Sequence, residues 1–251
     1  MKSPKVLYLD IETAPSLGWY FDLYKEGNII SESKSWYILS FACKWQGGKT
    51  KVFALPDYPG YKKDKENDGA LVKHLHEFLD QADVVIAHNG DNFDIKKCNA
   101  RFIFHGLTPP SPYQTVDTLK IARRHFEFDS NRLDALAKYF GIGGKLPHTG
   151  KHLWLGCMSG DLKAWKMMRQ YNVHDVDLLE EVYEKLRPWS TNHPNFNLYT
   201  RETACPVCQG KKFQKRGHLM TRTGQKPRLQ CTTCGKWSLG LLEKLEPVTI
   251  V

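Results

Sequence analysis

The chain has 251 residues, 41% of them hydrophobic and 25% charged, and a formal net charge of +9. That length fits one large domain, or one ordinary domain plus a small module, with enough apolar residues for a buried core. No apolar run approaches the roughly 20 residues that span a bilayer, and the N-terminus lacks the apolar stretch of a signal peptide, so a soluble, cytoplasmic protein without a membrane partner is expected.

Residues 6–9 alternate into Asp10 and read as a first strand. Residues 36–45 are rich in β-formers, QGGK turns the chain, and residues 51–55 resume a strand, which is a hairpin signal. Residues 57–68 are polar, with Gly and Pro, and read as a loop. Leu71, Leu75, Phe78 and Leu79 have helical spacing within 70–81. The apolar run 84–87 suits a central strand covered on both faces. Residues 93–106 are helical in pattern and closed by Gly106. Pro109, Pro110 and Pro112 then lead stiffly to a strand end at 114–117. Helices follow at 118–125 and 132–140, with Gly141 capping the second. Residues 141–156 form a glycine-rich, basic loop. Residues 161–186 make a long amphipathic helix or a pair of them, whose buried stripe is Trp165, Met168, Val176, Leu179, Tyr183 and Leu186. A hairpin followed by alternating strands and helices implies an α/β fold, a mixed sheet flanked by helices. Residues 188–203 are Pro- and Asn-rich without periodicity. They mark the boundary between a domain at 1–188, with 189–203 as linker, and a cysteine-bearing module at 204–240 with a tail at 241–251.

Four carboxylates and one phenol fall at element ends or on a helix. Asp10 and Glu12, two apart on a strand, face the same side. They repel one another unless cations sit between them. Asp94 opens the helix after the second strand of the central pair. Tyr171 and Asp175, four apart, stack on one face of the last helix. Such an all-oxygen set suits magnesium-type ions, and a pair of ions clamps both sides of a displacement at phosphorus. Asp91 reads as a loop residue, Asp117 as the cap of the next helix, and Asp177 as lying on the wrong helix face. His174, turned about 100° from Asp175, reads as surface or supporting.

The DIE run at Asp10 and Glu12, the N-x3-F-D run at Asn89, Phe93 and Asp94, and the Y-x3-D run at Tyr171 and Asp175 resemble the DEDD 3′–5′ exonucleases. The tyrosine-bearing branch is the nearer one, including the proofreading domains of family-B DNA polymerases. Position 170, where the histidine-bearing branch needs a His, is Gln. The resemblance spans residues 5–187 and implies an RNase H-like fold with two Mg²⁺ or Mn²⁺ ions held by Asp10, Glu12, Asp94 and Asp175. It also implies that Tyr171 holds the attacking water. A phenol, losing its proton only near pH about 10, orients water rather than deprotonating it. Thr13, Asn89 and Phe93 are expected at the terminal nucleotide, and Lys145, His148, Lys151 and His152 along a strand channel.

Cys205, Cys208, Cys231 and Cys234 form two CxxC pairs with zinc-ribbon spacing, a closed four-thiolate site for one structural Zn²⁺. Phe213, Leu219, Leu229 and Trp237 are expected to fill its small apolar centre. Cys43, Cys98 and Cys157 read as buried or incidental thiols rather than catalytic ones. Residues 201–240 hold nine Lys or Arg against the single acid Glu202, whereas residues 1–200 are nearly balanced. A basic rim of that density favours nucleic acid. The expectation is a metal-dependent 3′–5′ exonuclease acting on nucleic acid, DNA ahead of RNA, single strands first, with replication or repair partners and a bacterial or phage source. A structure-selective endonuclease using the same site and a non-catalytic nucleic-acid-binding protein are the alternatives.

Overall fold

The computed structural model describes residues 3–21, 29–144, 146 and 149–244. Of the expected channel residues, Lys145 and His148 lie outside the described residues. Two compact units are present, one from Lys5–Tyr183 and one drawn mainly from Glu184 onward.

The strands of the first unit are β1 (Val6–Thr13), β2 (Leu17–Tyr20), β3 (Ile29–Lys34), β4 (Ile38–Trp45), β5 (Lys51–Ala54), β6 (Val84–Ala87) and β7 (Gln114–Asp117). Five of them build a mixed sheet in the order β5-β4-β1-β6-β7. β1 runs antiparallel to β4, from Leu7↔Trp45 to Glu12↔Ser40, and parallel to β6, from Val6↔Val84 to Tyr8↔Ile86. Its position is dictated by composition: Val6, Leu7, Tyr8 and Leu9 are all buried, as are all four residues of β6. Helices α1 (Gly69–Asp80), α2 (Asp94–Phe104), α3 (Thr118–His125), α4 (Leu133–Tyr139), α5 (Lys151–Ser159) and α6 (Leu162–Leu186) complete the α/β architecture expected from the sequence. The predicted stripe of α6 is buried throughout, and Tyr183 meets Tyr8 edge-on at 5.8 Å between ring centroids.

Two features depart from expectation. β2 and β3 pair as a separate hairpin whose residues are all exposed, so no burial pattern marks them in the sequence. The loop expected at 141–156 ends early, because Lys151–Ser159 is helical (α5) and buries Leu153 and Cys157. Its glycines mislead: Gly150 precedes the helix at φ 61° and Gly160 ends it in the left-handed region, while Gly156 lies against the Ala164 methyl.

A buried ion cluster ties α1 and α2 to the sheet. Asp68, fully buried before α1, accepts from Arg101 Nε at 2.8 Å and from the Ile38 amide at 2.8 Å, and also meets Arg101 Nη2 and His105. No membrane-crossing helix, long and apolar enough, is found among the described residues.

In the second unit, β8 (Phe213–Met220), β9 (Gln225–Cys231) and β10 (Trp237–Leu239) form a three-stranded sheet in the order β10-β9-β8. Residues 189–203 hold a short helix, α7 (Asn197–Thr200), preceded by buried Phe196, whose amide donates to Pro206 O at 2.9 Å. Phe213 packs on Cys205, Val207 and Cys231 as expected, but Leu219 and Trp237 do not fill the centre. They are 44% and 47% exposed, because three strands this short have one covered face and both side chains sit on the other.

Replacing Arg101 by Ala strands the buried Asp68 carboxylate. The expected loss is about 3–5 kcal/mol of stability, read as a lowered urea midpoint; a shift too small to measure would show that Asp68 is satisfied without it.

Candidate functional site

The β1–β6 ladder stops at Tyr8↔Ile86, so the C-terminal half of β1 has no partner strand on that edge. The site forms there. Oxygens of Asp10, Glu12 and Asp175 lie within 4.8 Å of one another, brought together from β1 and α6. Each acid is held. Asn172 Nδ2 donates to Asp10 Oδ2 at 2.6 Å, while its own Oδ1 accepts from the buried Ser40 hydroxyl at 3.0 Å. Trp154 Nε1 donates to Glu12 Oε2 at 3.0 Å. Asp175 is 2% exposed and faces β1 from the buried stripe of α6.

Asp94 stands outside that trio. It is the first residue of α2, and its Oδ1 accepts from the Ile11 amide at 3.1 Å, the group that the missing ladder leaves over. Burial pushes its carboxyl up to about 7, and the nearby Asp117 charge adds to the rise. A cation beside it would reverse that cost. Tyr171 is buried on the same helix as Asp175, and the Trp154 ring meets it edge-on at 6.0 Å.

Two hollows lie near these elements, and two of the acids line the first. An open cleft of about 710 Å³ is lined by Asp10 and Asp175 together with Asn89, Arg123, Asn131 and Arg132. A second, of about 530 Å³, is lined by Thr13, Trp36, Lys97, Lys151 and Trp154. Lys97 Nζ lies 3.6 Å from the Trp36 ring centroid and 5.9 Å from that of Phe93, which is 37% exposed. Thr13 and Asn89 thus line different hollows. His152 faces a third, beside Leu153 and Met167.

The turn carrying Asn89 is built by Asp117. That carboxylate accepts from Leu119 N at 3.0 Å as the cap of α3 and from Asn89 N at 2.9 Å, holding Asn89 at φ 66°. A side chain at Gly90 would meet the Ala87 methyl at 2.4 Å, so only glycine fits there. Asp91 pairs with Lys120 at 2.6 Å, Asp177 with Lys44 at 3.4 Å, and His174 Nε2 with Gly144 O at 2.8 Å, all away from the trio.

Sequence reasoning missed Trp154 and Asn172. Asn172 had a signal: it lies four residues from both Met168 and Val176, so an amide occupies a position where the buried stripe calls for an apolar residue. Trp154 had none inside a stretch read as loop. Cys43 and Cys157 are buried, and burial pushes each thiol up to about 12.

In the second unit the four predicted cysteines cluster, with Sγ atoms 3.7 Å apart for Cys205–Cys234 and for Cys208–Cys231. Sulfurs of a tetrahedral site with bonds of about 2.3 Å stand roughly 3.8 Å apart. The cluster fits a zinc ribbon.

Comparison with known proteins agrees with this architecture. The RNase H superfamily matches residues 7–187. A PolC-type DNA polymerase III of Ureaplasma parvum is 30% identical over 142 residues, 54% of this chain and 9% of that protein. A DNA polymerase of Methanocaldococcus jannaschii is 25% identical over 172 residues, 59% of this chain and 10% of that protein. The family B DNA polymerase of Pyrobaculum calidifontis superposes with a TM-score of 0.53 at 21% identity, covering 74% of this chain and 25% of that one, a likeness of fold. The chain therefore spans about a tenth of the length of the curated relatives it matches.

Asn172→Ala takes a shared amide from the buried Ser40 hydroxyl and the Asp10 carboxylate. About 1–3 kcal/mol of stability should be lost, measurable by urea unfolding; Asn172→Asp should fare worse still by adding a further like charge.

Proposed function

The chain belongs to the RNase H superfamily, and from that premise we propose that it is a metal-dependent 3′–5′ exonuclease of nucleic acid. The observation that carries this reading is the meeting of Asp10, Glu12 and Asp175 beside an open cleft, with Asp94 bound to the same strand edge. The donor set is all oxygen, as hard divalent cations require. Asp10, Glu12, Asp94 and Asp175 would hold two Mg²⁺ or Mn²⁺ ions, which when bound supply Lewis-acid activation of water and of the departing 3′ oxygen.

The chain's own groups do the rest. Asn172 and Trp154 fix the Asp10 and Glu12 carboxylates, so that neither must reorganise when charge arrives. Tyr171 orients the attacking water through its hydroxyl. Asn89 and Thr13 contact the terminal nucleotide from the two hollows, and Phe93, half-exposed beside Lys97, stacks on a base. Arg123, Arg132, Lys97 and Lys151 bring positive charge to the same hollows, which supports a polyanionic substrate. Both curated relatives are DNA polymerases, which supports DNA ahead of RNA. Residues 1–188 form the catalytic domain, 189–203 the linker, 204–240 a ribbon holding one structural Zn²⁺, and 241–251 a tail.

Asp10→Asn and Asp175→Asn should each cut nucleotide release at least about a hundredfold without lowering the urea midpoint. A 3′-blocked linear strand and a closed circle should resist attack. Full activity in either variant sinks the site assignment, and cutting of the circle makes the enzyme an endonuclease. Asn172→Ala should raise the Mg²⁺ concentration for half-maximal rate by about 10–100-fold.

One zinc per chain is expected by elemental analysis. Stripping it with a strong chelator and then restoring Mg²⁺ should weaken binding to long strands and flatten its salt dependence, while hydrolysis of short oligonucleotides persists. Zinc-free protein with an unaltered salt slope would exclude a gripping role for the ribbon.

A further inference from the structure

The two faces of the β8–β9–β10 sheet are chemically different. Residues directly opposite across antiparallel strands share a face, and the pairings sort the side chains. Phe213↔Cys231 and Lys215↔Leu229 lie toward the cysteine cluster. Glu243 belongs to that same face: it bridges to Gln225 and approaches His218 at 3.6 Å and Lys215 at 3.9 Å.

The opposite face carries Gln214↔Gln230, Leu219↔Lys226, Trp237↔Gln230 and Leu239↔Arg228. Arg216 joins it, since its Nη1 donates to Gln230 Oε1 at 3.1 Å. The strand irregularity between Lys215 and His218 puts Gly217 at φ 72° beside Arg228, whose Nη2 would stand 3.1 Å from any added Cβ. Glycine there leaves room for the guanidinium. Trp237 is 47% exposed and Leu239 50%. Three cations and an indole therefore share one flat face, and none of the strand residues on it is acidic.

We propose that this face is a stacking platform for single-stranded nucleic acid, with a base on the Trp237 ring and adjoining phosphates on Arg216, Lys226 and Arg228. The inference rests on nucleic acid being the substrate and goes beyond an electrostatic grip. Duplex contacts are made to phosphates and groove edges and leave an exposed indole without a role, whereas unpaired bases stack on aromatic rings whatever their sequence. An exposed indole on the same face as Arg216, Lys226 and Arg228 complements a strand that offers both a base and a phosphate at each nucleotide. The ribbon then holds the strand by its bases as well as its charge.

The test is fluorescence anisotropy of the full-length chain with a labelled oligothymidine, in Ca²⁺ so that binding is read without hydrolysis, over a salt series. Trp237→Ala should weaken binding about tenfold, and Trp237→Phe should recover most of it. Arg228→Gln should reduce the slope of log Kd against log salt by about 0.7. Lys215→Gln, on the opposite face, should leave affinity within about twofold of the parent, since its charge is already paired with Glu243. Equal zinc content verifies that each variant keeps its ribbon. Unchanged binding in Trp237→Ala overturns the proposal and leaves the face to a protein partner. So does an equal loss on a blunt duplex, which would mean phosphate contact alone. Hydrolysis is assayed separately in Mg²⁺: an inactive chain with this binding pattern refutes the exonuclease and keeps the platform, and an active chain indifferent to Trp237 does the reverse.

Discussion

The acid site of the first unit is built around a repulsion. Three carboxylates with oxygens within 4.8 Å of one another, one of them 2% exposed, oppose folding unless something fixes them and something neutralises them. The fixing is visible. β1 is paired along its length by β4, Asn172 holds Asp10 from α6, and Trp154 holds Glu12 from α5. Asp94 replaces the missing strand partner of Ile11. Neutralisation is what the proposed divalent ions would contribute, so the same crowding that costs stability would create affinity for them.

Rigidity at the site is inherited from its surroundings. Asp117 does two jobs with one carboxylate, capping α3 and setting the Asn89 turn, so α3 and the β6–α2 connection move together. Asp68, through Arg101 and the Ile38 amide, locks α2 against the start of β4. α2 carries Asp94 at one end and Arg101 toward the other, so a buried ion cluster far from the acids along that helix still fixes where Asp94 stands. Such buried charges add little net stability when intact but penalise their own loss, which favours one arrangement over its neighbours.

The legible parts of the fold were those where burial dictates pattern. β6 is apolar at all four positions, α6 repeats at helical spacing, and the β4–β5 hairpin is bracketed by its turn. Asp94 at the helix start follows from the same logic. The illegible parts lack burial or carry a conflicting local signal. β2 and β3 are wholly exposed and leave no periodic trace. α5 hides among glycines, and with it Trp154. Trp237 looked like core because an indole in a small module usually is, yet a three-stranded sheet covers only one of its faces and residue parity decides which. Asn172 shows the reverse case: an amide on an apolar stripe breaks the local rule, and its partners are the Asp10 carboxylate and the Ser40 hydroxyl.

The charge layout separates attraction from chemistry. A phosphodiester approaching Asp10, Glu12 and Asp175 meets its own sign, so the acids cannot recruit a nucleic acid and must wait until cations invert the local field. Recruitment then has to come from elsewhere. On the proposed function the cations available for it are Arg123 and Arg132 in one hollow and Lys97 and Lys151 in the other, and residues 204–240 add eight bases and no acid. Lys97 is held at its post by the Trp36 ring, and burial alone lowers its affinity for the proton, so its charge is partly desolvated before any phosphate arrives. A cation in that state has less hydration to shed when a phosphate approaches. On the proposed function the acids and the bases lining the two hollows of the first unit are therefore complementary, since either set without the other would leave the substrate repelled or merely bound.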